Sequence, residues 1–118
     1  MSTENIKQAI VDLAPEPHIP EKNFDVAVVY DSMGQTASAV SFFLRAAEYG
    51  YKQEGCELIV YSSLIKVGQC FAKQGNREHT VESSFRYAIE FLPTRPEAYQ
   101  LLAQYLEGKQ DHQQAYLI

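Results

Sequence analysis

The chain has 118 residues, 46% of them apolar, and a net charge of −5. One domain with a real core fits that length, burying roughly two thirds of its unfolded surface. The acidic balance excludes a phosphate-tracking nucleic-acid binder and a polybasic membrane anchor. No apolar run approaches the ~20 residues of a membrane span, so the reading is no nucleic acid and no membrane.

Residues 3–14 carry Ile6, Ala9, Ile10 and Leu13 at i, i+3, i+4, i+7, which predicts a short amphipathic helix. Its start lacks the basic and long apolar stretches of a signal peptide. Pro15, Pro17 and Pro20 end the helix and make a stiff link. Packing as a cap on the first hairpin is the favoured role; a loose tail or a docking segment for a partner is the alternative.

Residues 21–50 read as that first helical hairpin. Val26, Ala27 and Tyr30 form an apolar–small–aromatic triplet, with Asn23 where a large residue is expected and Phe24 beside it. Gly34 makes the turn, and Thr36 is the expected N-cap of the second helix. Ala39, Phe43 and Ala46 share one face of that helix, and Gly50 is its expected C-terminal stop.

Residues 54–93 read as a second hairpin. Leu64, Val67, Gly68 and Phe71 lie on one helical face; Val81, Phe85, Ala88 and Ile89 form the answering face. Gly68 sits where the second helix must come close. Gly75 and Asn76 break the pair, Asn76 or Thr80 is the expected cap, and Pro93 closes it. The intervening stretch 51–57 is either loop or an early start of the helix; a longer helix beginning near Glu54–Glu57 is favoured.

Residues 94–118 read as a truncated third hairpin. Thr94 and Glu97 are spaced as a capping box with Pro96 between them. Tyr99, Leu102, Ala103 and Leu106 repeat the first-helix pattern. Gly108 and Asp111 mark the expected turn, and Ala115 opens the next signature. The last hairpin would end in its second turn. Either a longer protein continues it, or a second copy covers Tyr116, Leu117 and Ile118, the candidate self-association residues of a homodimer through the C-terminal repeat.

Chemistry-bearing residues are sparse. His18, His79 and His112 fall in loops or at helix starts, without HxxxH or CxxC spacing, so no metal site is expected. Cys56 and Cys70 on one helix would stand about 21 Å apart and could not pair. They read as free thiols of a reducing, cytoplasmic protein. Cys56, near a helix start, is expected to have a lowered pKa. Cys70 beside Phe71 reads as a small core residue. The glycines punctuate hairpins rather than cradle phosphates, so no cofactor and no catalytic residue is assigned. Eight tyrosines are the richest feature, and packing is favoured for them over an interface role.

The apolar–small–aromatic triplet, the turn and the Val81–Phe85–Ala88–Pro93 spacing resemble the tetratricopeptide repeat (TPR) over residues 20–118. The resemblance implies an all-α, right-handed α-solenoid of antiparallel helix hairpins, about two and a half repeats plus an N-terminal helix. The small positions Ala27 and Gly68 are 41 apart, against a family period of 34, so seven extra residues fall around Tyr51–Glu57. In that family the first helices line a concave groove for a peptide or partner helix. Carried onto this chain, the groove positions are Phe24, Val28, Asp31, Ser62, Ile65, Gln69, Lys73, Gln100 and Gln104. Where some members place Lys and Asn to clamp a carboxylate, this chain has Phe24, Val28, Ile65 and Gln69, which implies an apolar, amide-rich groove instead. Residues 95–118, RPEAYQLLAQYLEGKQDHQQAYLI, also resemble helical repeats that accompany family 2 glycosyltransferases. That likeness implies an accessory or oligomerisation module without the sugar-nucleotide domain. The expected function is a non-catalytic protein–protein interaction scaffold.

Overall fold

A computed structural model describes residues 3–75 and 77–117, with side chains for 6–75 and 77–109. Among these residues six α-helices run in order: α1 (Thr3–Leu13), α2 (Pro20–Ser32), α3 (Thr36–Tyr51), α4 (Glu57–Gln74), α5 (Glu78–Phe91) and α6 (Glu97–Leu117). Among the described residues there is no strand. Each helix packs on the next along the chain, and α2 also touches α4. The molecule measures 55 × 33 × 18 Å, and the shortest extent leaves room for about two helix layers. No helix among the described residues is long and apolar enough to cross a membrane.

The α1 stripe packs only in part. Ile6 and Leu13 are buried against Val26, while Ile10 stays exposed. After α1 the proline link is tied down by Asn23, which is buried in α2. Its Nδ2 donates to the carbonyls of Pro17 and Ile19, both at 2.9 Å. A polar residue therefore stands where the repeat pattern expects bulk: it gives the Pro17 carbonyl a donor and adds a second to the Ile19 carbonyl, which the Asn23 backbone N–H already serves. Val26, Ala27, Ala39 and Phe43 are fully buried, and Phe24 meets Phe43 edge-on at 5.2 Å between centroids. Burial of this apolar face holds α2 and α3 together.

Thr36 opens α3 as its first residue, with Gln35 at the N-cap making no side-chain bond. Gly50 does not stop α3. It lies inside the helix and is buried, and a Cβ there would stand 2.9 Å from Val60 Cγ2. Its smallness lets α4 approach α3, which is a packing reason for glycine rather than a capping one. The stretch 52–56 is a loop turned by Gly55 at φ +84°, and α4 starts at Glu57. The extra residues thus divide between a longer α3, this loop and an α4 of 18 residues against 13 in α2.

Gly68 behaves as its spacing predicts. A Cβ there would lie 2.6 Å from Phe85 Cε1, so α5 seats its aromatic ring directly on the α4 backbone. Gly75 ends α4 in the left-handed region at φ +80°, donating its N–H to the Phe71 carbonyl. Arg77 holds the N-cap of α5 and Thr80 lies within the helix; Asn76 is outside the described residues.

The third hairpin departs most from expectation. No turn forms at Gly108 or Asp111: α6 continues through both as one helix of 21 residues, roughly 31 Å long. Its packed face is Ala98, Leu101, Leu102 and Tyr105, set against α4 and α5. Tyr99, Ala103 and Leu106 of the expected signature face are exposed. The physical reason is plain: that face packs only if a returning helix covers it. Lys109, just past Gly108, instead bridges Glu78 and Glu82 of α5 at 3.3 and 3.1 Å. Tyr116 and Leu117 belong to α6, but their side chains, and Ile118 altogether, lie outside the described residues.

Candidate partner groove between helices four and six

Tyr61 sets the geometry of the groove by joining α4 to the start of α6. Its ring is buried, and its hydroxyl accepts the Ala98 N–H at 3.0 Å while donating to Glu97 Oε2 at 3.3 Å. Glu97 Oε1 in turn accepts from Arg95 Nη2 at 2.6 Å, and the guanidinium lies 5.9 Å from the Tyr61 ring centre. The capping box expected from Thr94 is replaced by this tyrosine from another helix. Pro96 supplies the first helical acceptor, bonding Gln100 N–H at 3.1 Å. Burial pushes the Tyr61 hydroxyl pKa up, so it stays protonated and able to donate. The Glu97 carboxyl is held below its usual range, first by its own backbone N–H and then by Arg95.

With α6 pinned there, two depressions of about 380 and 480 Å³ run on from each other along the α4–α6 seam. They share Lys66, Gln69, Leu101 and Gln104. The first adds Ser62, Ile65 and Gln100, ending at Arg95 and Glu97. The second adds Tyr105, Lys73 and Asp31 of α2. Lys73 Nζ pairs with Asp31 Oδ1 at 3.2 Å, closing that end. Lys66 makes no ion pair among the described residues.

Seven of the nine groove positions expected from the sequence therefore line one continuous surface: Asp31, Ser62, Ile65, Gln69, Lys73, Gln100 and Gln104. Two do not. Phe24 is half-buried against Phe43 and belongs to the α2–α3 core. Val28 is 39% exposed but stands on α2 away from both depressions. Lys66, Leu101, Arg95 and Glu97 were missed. Helical spacing carried a signal for Lys66, which falls between Ser62 and Gln69 on one face of α4. Arg95 and Glu97 carried none, because the Tyr61 contact that orders them joins residues 36 apart.

The groove's chemistry is carboxamide and ammonium over an apolar floor. Each glutamine both donates and accepts, which matches the unpaired N–H and C=O groups of an extended backbone. The thiols lie elsewhere. Cys70 is buried with its Sγ 3.7 Å from Asp31 Oδ1, and burial pushes its pKa up to about 11. Cys56 is also buried, 3.8 Å from Glu21 Oε1. Its pKa is raised, by burial first and the Glu21 charge second, so the lowering expected from its helix-start position does not occur. Among the described residues, no three His, Cys, Asp or Glu side chains converge as a metal-ligand set.

Compared with protein-family models and with curated proteins, the chain gives no significant match.

Proposed function

We propose that this chain is a protein–protein interaction scaffold without catalytic activity, which holds an extended segment of a partner along the α4–α6 groove. The observation that carries the reading is the pair of adjoining depressions, both lined by Gln69 of α4 and Gln104 of α6 together with Leu101. Serial packing of neighbouring helices, with α2 also on α4, supports a solenoid of TPR-like hairpins as the underlying architecture. Side chains supply register through the apolar floor, while carboxamides hold the backbone. Partner ends carrying a carboxylate meet Lys66, which makes no ion pair among the described residues.

The test is a selection of displayed random peptides on the intact protein, repeated on Gln69→Ala and Gln104→Ala. Both glutamines are at least partly exposed, so truncation leaves the core intact. Selected peptides are expected to lose about five- to tenfold in affinity on each variant, the worth of one or two net hydrogen bonds. Selection of no peptide, or of peptides indifferent to both substitutions, overturns the proposal.

A further inference from the structure

On the other side of α4 lies a second concavity that the groove does not use. Val60 and Leu64 lie roughly half a turn around α4 from Ser62, Lys66 and Gln69, at about 100° per residue. With Ala47 they floor a cleft of about 430 Å³ between α3 and α5. Tyr51 and Phe91 meet across it, ring centres 6.0 Å apart and tilted by 43°. Tyr87 stands one turn before Phe91. Tyr51 is 73% exposed and Tyr87 62%, so two large aromatic rings remain in water beside an apolar floor. Leu44, one turn before Glu48 on α3, is 47% exposed.

The rim is acidic. Glu48 and Glu90 line the cleft. Among the described residues Glu90 makes no ion pair. Glu48 has only Lys52, at 4.0 Å with both side chains more than two thirds exposed, a pair that contributes almost nothing. We propose that this cleft is a second docking site, for a basic, apolar segment of a partner protein that sets an arginine or lysine among Tyr51, Tyr87 and Phe91 and against Glu48 and Glu90. Charge complementarity selects that occupant. A wholly apolar segment would strip water from two carboxylates without replacing it, and an acidic one would be repelled. A cation gains from both the carboxylates and the aromatic faces. The net charge of −5 draws such a segment in from a distance.

The test uses two synthetic peptides, Ac-LRALLRAL-NH2 and its charge-reversed counterpart Ac-LEALLEAL-NH2, titrated into the ¹⁵N-labelled protein. The arginine peptide is expected to shift the amides of 47–51 and 87–91 and to bind at least about tenfold more tightly than the glutamate peptide. Tyr51→Ser and Tyr87→Ser, both at exposed positions, should each weaken it about two- to fivefold with unchanged circular dichroism. Joint Glu48→Gln and Glu90→Gln should remove its advantage. Equal binding of the two peptides, or shifts confined to 62–73 and 100–105, overturns the assignment. So does movement of the 47–51 and 87–91 amides on diluting the protein alone, which would put a second copy in the cleft. Because the two sites report on different amides, failure here is distinguishable from failure of the groove.

Discussion

At Gly68 two opposing effects can be weighed at a single position. In an ordinary helix interior, exchanging glycine for alanine stabilises by about 1 kcal/mol. Here the added carbon would sit 2.6 Å from Phe85 Cε1, well inside contact distance, in a core that gives little. Overpacking of this kind costs ~1–3 kcal/mol, so Gly68→Ala should destabilise in urea unfolding, and Phe85→Leu in the same chain should recover part of the loss. Cys70 gives a pH prediction. Burial and the nearby Asp31 carboxylate hold its thiol protonated to about pH 11, whereas a thiol in the unfolded chain ionises near ~8.5. The stability it contributes is complete below the unfolded value and is lost as pH rises from about 9 to 11. Native protein at pH 8 should react with a thiol reagent far more slowly at Cys70 than urea-unfolded protein, and Cys70→Ala should flatten the alkaline fall in stability. The glycine was legible because smallness at a fixed helical spacing leaves a mark in the sequence. Asn23 carries the opposite lesson: its type marked an exception, but its task, tying down Pro17 and Ile19, exists only in the folded link.

Among the elements, α1 to α5 follow from apolar periodicity and glycine breaks, since each buries a face that its own residues define. What periodicity could not settle is whether a glycine ends a helix or lies within one. Gly50 and Gly75 look alike in sequence, yet only Gly75 takes a positive φ; Gly50 is kept small by Val60. Gly108 is the third case: α6 runs through it, and among the described residues no atom of another element lies within 4 Å of its missing Cβ. Gly108→Ala should therefore stabilise the chain by up to ~1 kcal/mol and raise helicity, whereas a turn at that position would make the same change destabilising. Thermal melts followed by circular dichroism read the sign directly. The start of α6 depends on α4. Tyr61→Phe keeps the ring and removes the hydroxyl that serves Ala98 and Glu97. A cost of about 1 kcal/mol is expected, with faster amide exchange confined to the first turn of α6.

For the whole molecule, the groove is a consequence of stacking. Neither α4 nor α6 alone is concave; the seam opens because Tyr61 fixes the α6 start while Lys109 ties it to α5 at Glu78 and Glu82. Its α4 wall was legible, since Ser62, Ile65 and Gln69 recur at helical spacing. Its ends were not, because Arg95 and Glu97 are placed by a long-range contact. Salt bears on the two concavities differently. The glutamine contacts of the groove to an uncharged peptide backbone should depend little on ionic strength, while the acidic cleft between α3 and α5 should weaken several-fold between about 0.15 and 0.5 M salt. The most direct measurement is an amide-shift map of the ¹⁵N-labelled protein with a peptide selected on the intact chain. Shifts concentrated on 62–73 and 100–105, with titrations about five- to tenfold weaker in Gln69→Ala and Gln104→Ala, are the predicted result. Shifts that fall on α2 and α3 instead, or an affinity indifferent to both substitutions, would contradict the groove as the working surface of this protein.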